Sequence, residues 1–107
     1  MDLLPSTQPT PIRKYLTLGA TTEQVLWTPT IEKKWVVTDI IISSTATTLV
    51  TLRDGPAGQI IMIGRCTTSY PFIVNLTRPI ASSDINKNLT VQTSAITAYV
   101  AVAGYEE

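Results

Sequence analysis

Along most of this chain polar and apolar positions alternate one for one, and no long stretch repeats apolar positions at helical spacing. That pattern is the mark of strands with one buried face. The first run is 12–18, with Ile12, Lys14, Leu16 and Leu18 on one face and Arg13, Tyr15 and Thr17 on the other. A cation on each face suits an edge strand. Gly19-Ala20 turns the chain, 22–28 (TEQVLWT) forms a second strand, and Pro29 ends it.

Residues 35–43 are rich in Val, Ile and Thr, which fit a pleated surface. Val36, Thr38, Ile40 and Ile42 share one face; Trp35, Val37, Asp39, Ile41 and Ser43 share the other. Apolar residues on both faces predict a central strand covered twice, by the opposite sheet and by a neighbouring subunit. After a Ser/Thr/Ala turn, 48–54 sets Val50 and Leu52 against Leu49, Thr51 and Arg53, and Asp54-Gly55-Pro56 is a strong turn signal. Together 35–55 reads as a hairpin, the nucleus to which the other strands are added.

Four more runs follow: 59–65, where Gly64 marks a bulge; 70–77, with Phe72, Val74 and Leu76 inward; 88–93, with Leu89 and Val91; and 96–105, with Ile96, Ala98, Val100 and Val102 on one face. A short strand at 79–82 would make the number nine. Eight or nine strands at spacings of about 8 to 12 residues are the signature of a sandwich or barrel. The expected fold class is all-β, a two-sheet β-sandwich of jelly-roll-like order, with an immunoglobulin-like order left open. It occupies 12–107. Residues 1–11 form an extended N-terminal arm, since Pro5, Pro9 and Pro11 fix φ and remove amide donors. The arm either frays or lies along a neighbouring subunit, with Leu3 and Leu4 as its apolar anchor.

A chain of 107 residues holds one core. Only 15% of its residues are charged against 44% hydrophobic, where soluble domains carry about 25% charged. The deficit fits a surface covered by partner subunits, or a neutral Thr-rich one. Eight basic and eight acidic residues cancel and are scattered, so no basic footprint for nucleic acid is visible. The absence of histidine removes the commonest general base and transition-metal ligand. No apolar run approaches the roughly 20 residues of a spanning helix, and MDLLPSTQPTP lacks the basic start and apolar run of a signal peptide. The sequons at Asn75 and Asn88 are accidental on that reading. The expectation is a chain without cofactor, metal, nucleic acid or membrane.

Candidate chemistry is sparse. Cys66 follows Arg65, and a nearby cation lowers a thiol pKa, yet without a histidine base a structural thiol is the better reading. Asp39, Asp54 and Asp84 are isolated in sequence, and the Asp-Gly pair at 54–55 has no spaced oxygen ligands for Ca²⁺. Gly55-Pro56-Ala57-Gly58 lacks the lysine and helix of a phosphate loop. Trp27, Trp35, Tyr70, Phe72, Tyr99 and Tyr105 are core or interface aromatics, or in part a sugar-stacking platform. Arg53 and Asp54 either pair across a subunit contact or form a solvated strand end. An enzyme is not expected.

The segments TLRDGPAGQI (51–60), YPFIVNL (70–76) and RPI (78–80), with the lead-in LWTPTIEKKWVVTDIIIS, resemble small jelly-roll-like β-sandwich virion proteins of tailed bacteriophages. The resemblance spans about residues 22–105 and rests on strand-and-turn grammar. It implies a structural virion protein: a head decoration (cement) protein that stabilises the capsid, or alternatively a tail-associated or carbohydrate- or receptor-binding module. Its implied partners are the major capsid protein or other virion subunits and further copies of itself, a homotrimer being favoured. The implied location is the capsid surface, after synthesis in the host cytoplasm. The residues expected to meet a partner are Leu3, Leu4, Pro5 and Pro9 of the arm, and Arg53. No catalytic residue is implied.

Overall fold

The computed structural model describes residues 10–107, so Leu3, Leu4, Pro5 and Pro9 of the expected arm lie outside the described residues. Eight strands follow in order: β1 (Ile12–Leu18), β2 (Gln24–Trp27), β3 (Trp35–Ser44), β4 (Thr48–Asp54), β5 (Gln59–Cys66), β6 (Phe72–Ala81), β7 (Leu89–Thr93) and β8 (Ala98–Glu106). Their pairing is nested and antiparallel: β1 with β8, β2 with β7, β3 with β6, and β4 with β5. The chain is thus one long hairpin with its tip at the β4–β5 turn. Rolled up, its successive rungs alternate between two layers, which brings β3 beside β8 and β4 beside β7. The two sheets run β1-β8-β3-β6 and β2-β7-β4-β5. This is the jelly-roll order of an all-β sandwich.

The hairpin expected at 35–55 does not form, because β3 and β4 belong to different sheets. The link between them is a crossing: Thr45 N–H donates to Thr97 O (2.9 Å), and the Ser44 hydroxyl caps Ala46 O. The tight turn lies one strand later, after Asp54. There Gly55 takes φ +92°, and Gly58 N–H returns to Gly55 O (2.9 Å).

The core lies between the sheets. Trp27, Trp35, Leu18, Ile40, Ile42, Val50, Leu52, Leu89 and Val91 are fully buried. The faces of β3 depart from simple alternation. Against β8 its register slips between Val37 and Asp39 with Thr38 as the extra residue, whereas against β6 the extra residues lie in β6, between Asn75 and Ile80. An extra residue reverses the parity of all that follows. Trp35 and Val37 therefore point into the core with Ile40 and Ile42, while Ile41 points out. The Thr38 hydroxyl lies 3.1 Å from Ala103 O and 2.9 Å from the Asp39 carboxylate. Beside the bulge sits Gly104, where an added Cβ would fall on the Val36 carbonyl oxygen and within 2.8 Å of its carbon.

Three smaller expectations change. The bulge of β5 falls at Ile61, where the register slips opposite Leu52 and Arg53, and not at Gly64. Gly64 faces the core, and a Cβ there would press within 2.7 Å of the Phe72 ring. Residues 79–81 continue β6 beyond an irregular stretch and are no separate strand. Ile96 precedes β8 and is half-exposed, because the inward alternation starts at Ala98.

Candidate functional site

Of the residues singled out in the sequence, most of those described are structural. Trp27 is fully buried, and its Nε1–H donates to Glu106 Oε2 (3.0 Å), which also accepts from Thr30 N–H (3.2 Å). That carboxylate ties the end of β2 to β8 across the sandwich and removes Trp27 from any stacking platform. Burial works against its charge, but the hydrogen bonds from Thr30 and Trp27 and the nearby Lys14 outweigh it, and Glu106 titrates below its ordinary range. Trp35 is equally enclosed. Cys66 is buried with its thiol donating to Ser44 Oγ (3.2 Å).

Arg53 and Asp54 point to opposite faces of β4, as neighbours on a strand must. Asp54 is buried, accepts from Ser83 N–H (3.0 Å), and lies 3.7 Å from Lys87 Nζ. Arg53 lies on the outer face with Glu23 nearby. Hydrogen bonds from the Thr90 hydroxyl and from Ala57 N–H (3.0 Å), with Arg53 adding its charge, hold the Glu23 carboxyl below its ordinary range against the effect of burial. Arg53 itself makes no ion pair among the described residues, and its Nε has no hydrogen-bond partner there.

A surface remains that carries none of these internal bonds: the outer face of the β1-β8-β3-β6 sheet. Register sets its residues in rows. Tyr15, Ala101, Ile41 and Ile73 form one row across all four strands. It is wholly apolar, with Tyr15 81%, Ile41 49% and Ile73 60% exposed. The row on one side is Arg13, Ala103, Asp39 and Asn75; on the other side lie Thr17, Tyr99 and Ser43. Because β8 contributes only Ala101 and Ala103 here while its neighbours contribute long side chains, the face is concave. Arg13 and Tyr15 wall one side of a groove of about 460 Å³, and Ile73 and Asn75 wall the other. Asn75 Nδ2 donates to Asp39 Oδ1, and neither Arg13 nor Asp39 has an ion-pair partner among the described residues.

The other sheet also exposes apolar side chains, but they are interrupted. Ile63 continues into Thr51 and Gln92, Leu49 pairs with Arg65, and Ile60 is parted from Val25 by Arg53 and Thr90. A contiguous exposed apolar patch with a polar rim is the usual mark of a protein contact. Sequence reading had set Tyr15 opposite Ile12, Leu16 and Leu18, and Ile41 opposite Ile40 and Ile42, but missed the row. The alternation within each strand was visible, whereas the alignment of four strands distant in sequence was not.

Comparison with known proteins shows the fold. The nucleoplasmin-like N-terminal domain of Drosophila FKBP39 is similar with a TM-score of 0.54 at 12% identity, over 91% of this chain and 90% of that one. Two weaker likenesses have a TM-score of 0.38. One is a virus-like particle of the extra small virus of the giant freshwater prawn Macrobrachium rosenbergii (11% identity, 99% of this chain and 85% of that one). The other is a Bacillus endospore appendage described as a disulfide-linked pilus (10%, 98% and 96%). At such identities the first likeness shows a shared sandwich, and the other two add nothing to it. No protein-family model matches the chain, and no curated protein matches it in sequence.

Proposed function

We propose that this chain is a structural virion protein, a capsid decoration or cement subunit that works by protein–protein contact. The observation that carries the reading is the outer face of the β1-β8-β3-β6 sheet: an unbroken exposed apolar row, Tyr15-Ala101-Ile41-Ile73, on a rigid four-stranded base. The LRDG, YPFIVNL and RPI segments, which resemble phage virion modules, support it from the sequence. The partner is then the major capsid protein or another virion subunit, and the role is mechanical. Burying apolar area across a junction at about 25 cal/mol per Å² resists its opening, net of the cost of association. No feature of this face favours the trimer implied by the resemblance.

The test is copy number in the native particle, measured by quantitative mass spectrometry, together with rebinding of the purified chain to stripped shells. Many copies per particle, with rebinding lost in a Tyr15→Lys/Ile73→Lys variant of unchanged melting temperature, is the expected result. A chain absent from particles would remove the reading. A second reading, glycan recognition by a tail module, is favoured by one observation: Tyr15 and Tyr99 are exposed diagonal neighbours on this face. Saturable glycan binding lost in Tyr99→Ala would establish it.

A further inference from the structure

The same face has a self-complementary charge pattern about one axis. β8 runs between β1 and β3, and the residues flanking it occur in matched rows: Arg13 and Asp39 beside Ala103, Tyr15 and Ile41 beside Ala101, Thr17 and Ser43 beside Tyr99. A two-fold axis parallel to β8, lying in the plane between two facing copies, exchanges β1 with β3. It sets Arg13 over Asp39 of the second copy, and Asp39 over its Arg13. Tyr15 then meets Ile41, and Ala101 and Ala103 of β8 meet their counterparts at the centre, leaving room for the larger flanks to interlock, while Tyr99 meets Tyr99 of the second copy at one end of the axis. An axis perpendicular to the strands would instead oppose Arg13 with Thr17 and leave both charges unmatched.

We infer that a second copy of this chain docks on this face, sheet against sheet, across a two-fold axis along β8. The pairing rests on the reading of the same face as an assembly surface and names the partner. Sheets facing in this way lie about 10 Å apart, with strands within about 30° of each other. An arginine side chain spans such a gap. The interface is isologous, so one contact satisfies both charges of both copies. Three strands of about seven residues overlap, β1, β8 and β3, with β6 left outside the contact, and they give a footprint of roughly 340 Å² per copy, under the ~800 Å² of a standard interface. The dimer is therefore weak and concentration-dependent.

Sedimentation equilibrium of the full chain over about 1 µM to 1 mM reads this directly, with electrostatic pairs of this kind expected to shift the dimer constant at least tenfold. The wild type shows a monomer–dimer equilibrium. Arg13→Glu and Asp39→Arg, each folded by circular dichroism, are both shifted to monomer, since each opposes like charges twice. Mixed one to one, the two variants restore the dimer. The glutamate introduced in one then meets the arginine introduced in the other, and the native Asp39 of the first meets the native Arg13 of the second. Should Asp39→Arg not fold, the swap of Tyr15→Glu with Ile41→Lys tests the same axis through the apolar row. A wild type that stays monomeric throughout the range overturns the pairing, as does a dimer indifferent to Arg13→Glu or a mixture that fails to restore it. A monomeric chain still found on particles would sink the two-fold contact and leave the virion reading standing. A charge-swappable dimer absent from particles would do the reverse.

Discussion

The bulge at Thr38 makes Gly104 the position least able to accept a side chain, and Gly104→Ala is the sharpest test of the packing described. A Cβ there lies on the Val36 carbonyl oxygen, 2.8 Å from its carbon and 3.1 Å from Val37 Cα. All three are backbone atoms of a central strand held on both sides by β8 and β6, so relief requires β3 and β8 to part. Gly64→Ala is the natural control: its Cβ would meet the Phe72 ring at 2.7 Å and Ile42 Cδ1 at 3.0 Å, and side chains give way more easily. Overpacking of the second kind costs about 1–3 kcal/mol. Parting a backbone ladder costs that much again through lost hydrogen bonds, each worth ~1 kcal/mol net, so Gly104→Ala is expected to lose about 3–5 kcal/mol. For a domain with about 5–15 kcal/mol in total, that is about a fifth of its stability or more. Urea titration followed by tryptophan fluorescence measures it, with both buried indoles as reporters. A Gly104→Ala variant within about 1 kcal/mol of wild type, or less damaged than Gly64→Ala, would refute the placement of the bulge against β8.

Other outcomes follow from the same geometry. Glu23 and Glu106 are both held below their ordinary value of 4.5 in the folded chain. Their contribution is therefore complete above the unfolded value and is lost as pH falls through the lower folded values. The melting temperature should hold from neutrality to about pH 5 and drop below ~4.5. Glu106→Gln should flatten part of that drop, and an identical acid profile would dismiss the clamp. Trp27→Phe removes the indole donor to Glu106 while keeping an aromatic ring, and should cost about 1–3 kcal/mol by urea titration; no loss would mean that the bond is idle. Removing residues 1–11 should leave melting unchanged, since β1 pairing starts at Ile12 opposite Gly104, and should weaken particle rebinding. Unchanged rebinding would take the arm out of the contact.

Strand content was legible because each strand announces itself locally. The 12–18 alternation, the Val/Ile/Thr run at 35–43 and the Asp-Gly turn all mark true elements. What the residues do not encode locally is which strand each one meets. The hairpin read into 35–55 failed for that reason: a short polar link serves equally to turn a strand back beside itself or to send it to the other sheet. Only the nested closure of β1–β4 on β5–β8 decides between them. Parity failed at Thr38 for a related reason. A bulge is one extra residue whose cause, the bare backbone at Gly104, lies 66 positions away.

The distinction between scaffold and surface obeys the same division. Residues that looked chemically marked in the sequence, such as Trp27, Asp54 and Cys66, each found a partner within the chain: a carboxylate, a backbone amide, a serine. Those that looked ordinary, Arg13, Tyr15, Ile41 and Ile73, remain on the outside of a rigid sheet. Polar groups that pair internally gain little by meeting a partner, because the internal bond must first be exchanged. A row of exposed apolar side chains removes apolar area from water on contact, and the flanking Arg13 and Asp39, which have no ion-pair partners among the described residues, lose hydration that an opposite charge on the partner offsets. Sheet orientation therefore separates the two outer faces. The β2-β7-β4-β5 sheet interrupts each exposed apolar residue with a polar neighbour, and the β1-β8-β3-β6 sheet is the face on which burial adds without such interruption.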